Sequence, residues 1–248
     1  MDKAVKAARS RVGPGEPTKS ELTRQRFLDA AAKVFATRGY AHTRLSDVAR
    51  EANAHAGGIY YYFASREVLV SEVLDIATLR SIEKLNAALD ALPSTTNARD
   101  RLLAAAIALL EGIMAQDFFN LAHNRIHAQV PEEVRERHRP LLHRFFSIWR
   151  DIVTEGQKRG EIRDDVDPTI LRLTIVGSIQ WATEWAQSAN SSAEVLATKM
   201  MQIFFGGILP NGQNTYQSAA DRTLADEEAA IHDQRVPRNV GRRRRSQK

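Results

Sequence analysis

FLDAAAKVFATRGYAHTRLSDVAREANAHAGGIYYYFASREVLVSEVL, residues 27–74, is the stretch that decides the fold. Its apolar residues Phe27, Ala30, Ala31, Val34 and Phe35, with Leu22 before them, recur every three or four positions. That is the period of one helix face, so a helix is expected from Ser20, with Gly39 where a C-terminal cap belongs. A second, short helix is expected with Thr43 as its N-cap and Leu45, Val48 and Ala49 inward. Asn53 can end it by entering the left-handed region. A third short helix is predicted from Ala56 to Phe63. Ser65 then caps a fourth, which Glu67 and Val68 open and Pro93 stops after about Leu92.

Helix, glycine, short helix, tight turn, short helix is a helix-turn-helix arrangement, in which the last helix enters the DNA major groove and the one before it crosses the backbone. Leu45, Val48, Ala49, Ile59 and Phe63 can pack against Phe27, Ala31 and Phe35. Ala49 is small where two helices must approach. Gly57 and Gly58 open the third helix although glycine is about 1 kcal/mol poorer than alanine there. One reading is that they let backbone N–H groups come close to DNA; the other is a plain tight turn. Four consecutive aromatics, Tyr60 to Phe63, cannot all face one core on a helix. Ile59, Tyr62 and Phe63 are expected inward, Tyr60 and Tyr61 outward, where their hydroxyls reach phosphates or base edges.

Working outward, residues 97–115, 118–129, 132–159, 168–188 and 192–208 also read as helices, and no alternating strand pattern interrupts them. The expected fold class is all-α, about nine helices: a flexible basic arm (1–18), a three-helix helix-turn-helix domain (19–66), a helical ligand-binding and dimerisation domain (67–209) and a flexible basic tail (210–248). A further helix is possible at Asp221 to His232. The net charge of +5 over 248 residues is unevenly spread. Residues 1–66 carry twelve Lys and Arg against six Asp and Glu, residues 67–234 sixteen against twenty-four, and residues 235–248 seven against none. Basic ends around an acidic middle point to a polyanion partner at the ends. The absence of cysteine excludes disulfides, thiolate catalysis and cysteine metal sites. No apolar run reaches the roughly eighteen residues of a membrane helix, and the polar, basic first fifteen residues do not read as a secretory signal. The expectation is a cytoplasmic, nucleoid-associated bacterial protein without membrane contact.

The stretch from Thr18 to about Leu74 resembles the DNA-binding domain of the TetR family of bacterial transcriptional regulators. Family members read Gly-Thr-Leu-Tyr-x-Tyr-Phe through the third helix; this chain has Gly57-Gly58-Ile59-Tyr60-Tyr61-Tyr62-Phe63 and then Ala64-Ser65-Arg66-Glu67. The resemblance implies that Thr43 and Arg44 touch phosphates, that His55, Ala56, Gly58, Tyr60 and Tyr61 face the groove, and that Arg66 grips the DNA backbone. It departs from the family at His55-Ala56, where a Ser-Lys pair is common, and at Gly58, where the family has Thr. One cationic contact is therefore lost, and Lys3, Lys6, Arg9 and Arg11 of the arm are placed to compensate.

The resemblance also implies a dimerising, effector-binding body. The last two helices are apolar on more than one side. Leu171, Ile175, Ile179, Leu196, Met200, Ile203 and Phe204 are expected to form a four-helix interface with a two-fold copy, the alternative being intrachain core. ILRLTIVGSIQWATEWAQ and VLATKMMQIFFGGIL (170–187 and 195–209) resemble the C-terminal domain of TetR-type regulators of fatty-acid and steroid breakdown, several of which respond to acyl-CoA thioesters. That implies a small hydrophobic effector near Gln180, Trp181 and Trp185, with Phe118, Arg125, His127, Phe146 and Trp149 as further candidates. Phe119, Phe145 and Ile148 could also line a pocket. Arg125, Arg144 and Arg150 are candidates for the phosphates. His123 and His127 have metal-ligand spacing, but no Glu follows His123 and no third ligand is assigned, so no metal and no cofactor is expected. The absence of G-x-S-x-G, a phosphate-cradling glycine loop or a cysteine nucleophile argues against an enzyme. The reading is a homodimeric, ligand-released repressor on a palindromic double-stranded operator. Its alternatives are a TetR-type regulator of an efflux or degradation gene sensing another apolar ligand, and an effector-free architectural protein.

Overall fold

The computed structural model describes residues 17–208. The arm residues Lys3, Lys6, Arg9 and Arg11, the expected helix at Asp221 to His232 and the Arg242 to Arg245 run lie outside the described residues. Nine α-helices and no strand are present among the described residues: α1 (Lys19–Arg38), α2 (Leu45–Glu51), α3 (Ile59–Tyr62), α4 (Arg66–Asp90), α5 (Ala98–Met114), α6 (Phe118–Ile126), α7 (Glu132–Lys158), α8 (Pro168–Trp181) and α9 (Ala193–Ile208). No single described helix is long and apolar enough to cross a membrane.

Local chemistry sets the ends of these helices. The Thr18 hydroxyl accepts from the Glu21 N–H (3.2 Å) while the Glu21 carboxylate accepts from the Thr18 N–H (2.7 Å), a reciprocal cap for α1. Gly39 (φ 76°) and Asn53 (φ 50°) take the positive φ values that close α1 and the α2 region. Ser65 and Asn97 cap α4 and α5 by accepting from the N–H groups of Val68 and Asp100. The expected Thr43 cap is not made. The first turn of α2 is held by Asp47, whose carboxylate accepts from the Arg44 N–H at 3.0 Å.

Two apolar cores result. The head core joins Phe27, Phe35, Val48, Ile59 and Phe63 to α4 as far as Ala77, and to Phe119, Ala122 and Ile126 of α6. The body core runs from Ile82 and Leu85 of α4 through α5, α7, α8 and α9. Helix α4 therefore belongs to both layers by its length, while the buried residues of α6 belong to the head core alone.

The helix expected at residues 168–188 breaks after Trp181. Two 3₁₀ turns follow, Ala182–Glu184 and Ala186–Ser188. The Thr183 hydroxyl donates to the Gln180 carbonyl at 2.9 Å, taking the acceptor that the next helical amide would use.

Candidate nucleic-acid interface and effector cavity

The third helix is only one turn long and is preceded by a 3₁₀ turn, Ala56–Gly58. Ile59 and Phe63 are fully buried and anchor it, and Tyr62 is half-buried with its ring centroid 5.6 Å from that of Phe27. Tyr60 and Tyr61 are 61% and 82% exposed, large apolar surface left facing water. His55, Ala56, Gly57 and Gly58 are exposed beside them. The glycines are not required by the turn: Gly58 has an ordinary helical φ of −69°, and a Cβ added to it would meet nothing within 4 Å. The tight-turn explanation thus has no support, and bare backbone is presented outward. Arg44 is exposed as expected.

One expected contact is corrected, and Arg66, 32% of whose side chain stays exposed, also has partners in the head. Thr43 is fully buried, and its hydroxyl donates to the Gly39 carbonyl at 2.7 Å, so it has no surface to offer a phosphate. Arg66 is engaged inside the head. Its guanidinium lies 4.0 Å over the Tyr40 ring and donates to the carbonyls of Thr43 (3.2 Å) and Tyr40 (3.4 Å). It pins the start of α4 to the turn before α2, and so orients the reading helix from behind.

In the body, α4, α5, α6, α7 and α8 surround a partly open cavity of about 240 Å³. Its apolar wall includes Ala77, Leu109, Ile113, Leu142, Phe145 and Phe146. Thr78, Ser81, Asn120, His123, His127 and Gln180 supply polar groups, and Lys84 is the one cation among its lining residues. Of the expected effector residues, His127, Phe146 and Gln180 line it. The others do not. Trp149 is fully buried in the body core with its indole nitrogen unpartnered among the described residues; Trp185 packs half-buried on the same core; Phe118 is largely exposed. Arg125 and Trp181 line a groove of about 530 Å³ against α1, which shares Asn124 and Gln180 with the cavity. Arg144 and Arg150 are exposed on α7 and reach neither.

Sequence reasoning missed Thr78, Ser81 and Lys84, which come from α4, and the partner of the two α6 histidines. His138 of α7 is fully buried. Its Nδ1 lies 2.6 Å from the Asp75 carboxylate and its Nε2 3.1 Å from the Thr78 hydroxyl. The ring centroids of His123 and His127 lie 5.3 Å apart, and 5.5 and 5.9 Å from that of His138. With both His138 nitrogens engaged, the trio does not converge as a ligand set, and no metal-holding group of three is found among the described residues. Burial first, then His138 and His127, pushes the His123 pKa down to about 3; burial, then His138 and Arg135, lowers that of His127.

The expected interface residues are also redistributed. Leu171, Ile175, Ile179 and Leu196 are buried within the single chain and belong to its core. Met200 and Phe204 are half-buried against that core, and only Ile203 is largely exposed, at 79%. The outward row of α8 is a different one: Ile170, Leu173, Thr174, Gly177 and Trp181. Its 3–1–3–4 spacing is one helix face, rotated away from the buried row at 171, 175 and 179.

Known proteins share this architecture. A family model described as bacterial regulatory proteins of the tetR family matches residues 27–73, and one described as a tetracyclin repressor-like C-terminal domain matches residues 95–208. The chain belongs to the TetR family. The HTH-type transcriptional repressor KstR2 of Mycobacterium tuberculosis is 27% identical over 207 residues, covering 76% of this chain and 94% of its own. The fold is also that of the transcriptional regulator FadR of Bacillus subtilis, solved in complex with stearoyl-CoA (TM-score 0.64, 22% identity, 74% of this chain and 98% of that one). AibR, solved with isovaleryl coenzyme A and operator DNA, superposes with a TM-score of 0.66 at 18% identity, covering 73% of this chain and 97% of that one. In this TetR-family chain, then, the helix-turn-helix is the DNA-binding domain, and the helical body is the C-terminal domain of the family.

Proposed function

We propose that this regulator is a homodimeric repressor that binds a palindromic operator and is released when a small apolar effector fills the body cavity. The observation that carries the reading is the position of α6. One face of it, with Asn120, His123, Asn124 and His127, lines the cavity; the other, with Phe119, Ala122 and Ile126, is part of the head core. Its end is tied to the head by polar contacts. Arg125 donates to the Ala36 carbonyl (3.3 Å), Gln129 accepts from the Tyr40 N–H (3.0 Å), and the Gln129 amide donates back to the Arg125 carbonyl (2.8 Å). A ligand that displaces α6 must move the end of α1 or break these contacts. It shifts the DNA-competent population only by its differential affinity for the two states.

The DNA surface of each head is Arg44, His55, Ala56, Gly57, Gly58, Tyr60 and Tyr61. The dimer forms through the outward row of α8 (Ile170, Leu173, Gly177, Trp181) with Ile203 of α9. Two heads then address successive major grooves about 34 Å apart. The protein acts in the cytoplasm, by binding and not by catalysis. Duplexes selected from a random DNA pool by the purified protein should carry a two-fold symmetric motif and give a footprint with two protected half-sites. Failure to enrich any symmetric sequence contradicts the proposal.

FadR and AibR are similar in fold and were solved with acyl-CoA thioesters, which makes an acyl-CoA the first effector class to test. One observation favours a second class, an uncharged apolar molecule of another kind: a single lysine lines the cavity, and Arg144 and Arg150 lie outside it.

A further inference from the structure

The His123–His127 wall of the cavity is polar in a way the fold does not need. Nε2 of each ring is shielded from solvent and has no hydrogen-bond partner among the described residues. Leaving a buried polar atom unpaired is costly, and a chain that keeps two of them side by side is less stable than one with apolar residues there. The rings are neighbours on one helix, stacked at 26°, and both belong to the cavity wall. The third ring is already satisfied: His138 sits between the Asp75 carboxylate and the Thr78 hydroxyl. It fixes the back of the pair and leaves the front two imidazoles to something else.

We propose that His123 and His127 are the specificity-determining residues of the effector site, and that they select an apolar ligand carrying an uncharged carbonyl, as in a ketone, ester or thioester, over the corresponding free carboxylate. This rests on the cavity being the effector site. A neutral imidazole offers one N–H donor and one lone pair. Nε2 of each ring is occluded from the cavity as it is from solvent, so a rotation of the ring about Cβ–Cγ is what brings its N–H to a carbonyl oxygen seated against the wall. A carboxylate in the same place brings a full charge into a largely apolar cavity, where burying an unpaired charge costs far more than burying a neutral dipole. Lys84, exposed on α4 beside Gly112, is the single cation of the lining, and the carbonyl is seated on the α6 histidines and not on it; Arg135 lies on α7 outside the lining. Both histidines are held below the ordinary imidazole pKa, so at neutral pH neither supplies a compensating positive charge. The volume is adequate: about 240 Å³ exceeds the roughly 150 Å³ of an apolar cavity that accepts benzene.

The test uses the full-length protein with octan-2-one and octanoate, of equal chain length, followed by calorimetry at pH 7.5. Octan-2-one should bind at least about tenfold more tightly, the equivalent of one satisfied hydrogen bond. In His123→Phe and in His127→Phe the ketone should weaken by about tenfold and the preference over octanoate collapse. His123→Gln, which keeps a donor, should retain much of it. Equal or tighter binding of octanoate, binding of neither probe, or an unchanged preference in both Phe variants would overturn the proposal. Operator release is measured separately: a ketone preference without release leaves the selectivity standing and sinks the repressor reading.

Discussion

The head and the body are built from the same helices and the same aliphatic residues, yet their cores are packed to different ends. In the head, Phe27, Phe35, Ile59 and Phe63 are at most 1% exposed and surround a reading helix of a single turn. Such a short helix has no stability of its own, since isolated helices below about twelve residues are marginal. It exists because Ile59 and Phe63 are clamped from below, which leaves Tyr60 and Tyr61 free for DNA. The body core is larger but incomplete: it surrounds a partly open cavity and keeps unpaired imidazole nitrogens in the wall. In the proposed function the filled core is the rigid reader and the unfilled one the sensor. Helix α6 links them, with its apolar face in the head core and its polar face on the cavity.

The sharpest way to break this comparison is to cut an equal ring from each core. Phe63→Ala should destabilise the protein by about 3–5 kcal/mol and abolish operator binding, whereas Phe145→Ala, buried beside existing empty space, should cost clearly less in urea denaturation. Equal losses would mean that the cores do not differ. Next in size is the α8 pair. Leu173→Asp, on the outward row, should give a folded monomer by sedimentation. Leu171→Asp, two positions away on the buried row, should not fold.

Acid should expose the body's polar wall. Unfolded histidine titrates near 6.5, while folded His123 stays neutral down to about 3 and folded His127 is also lowered. Between these values the unfolded state binds more protons, so stability rises with pH across the window and is lost as pH falls through it. His123→Phe should flatten the stability curve between pH 6.5 and 3. Smaller still is the effect on the reader's surface. Tyr61→Ala should change stability by less than about 0.5 kcal/mol, because the residue is 82% exposed. It should weaken operator binding by roughly tenfold, the scale of one lost contact.

The same contrast explains what could be read from the sequence. The head was legible because each position had one use: Gly39 and Asn53 take positive φ, and the aromatic run splits into Ile59 and Phe63 inward and Tyr60 and Tyr61 outward. Thr43 escaped because a threonine hydroxyl can cap the next helix or bond back to a carbonyl four residues earlier, and local sequence does not choose between them. In α8 large apolar residues fall on both faces, Ile170, Leu173 and Trp181 as well as Leu171, Ile175 and Ile179, so periodicity could not tell the core row from the outward row. The cavity was hidden for a different reason. Asp75 and His138 are 63 residues apart in sequence, and no local pattern links them.

The central claim is that the cavity and the reading helix communicate through α6 and its ties to α1. It is tested most directly by the operator Kd, measured by fluorescence anisotropy with and without saturating octan-2-one, in the unaltered protein and in Gln129→Ala. The account predicts that the ligand weakens operator binding by about 5- to 150-fold in the unaltered protein, the range of ordinary coupling energies. In Gln129→Ala, ligand affinity and unliganded operator affinity should stay near their original values while the ratio shrinks towards one. An operator Kd indifferent to a bound ligand in the unaltered protein, or a ratio that survives Gln129→Ala undiminished, would contradict it.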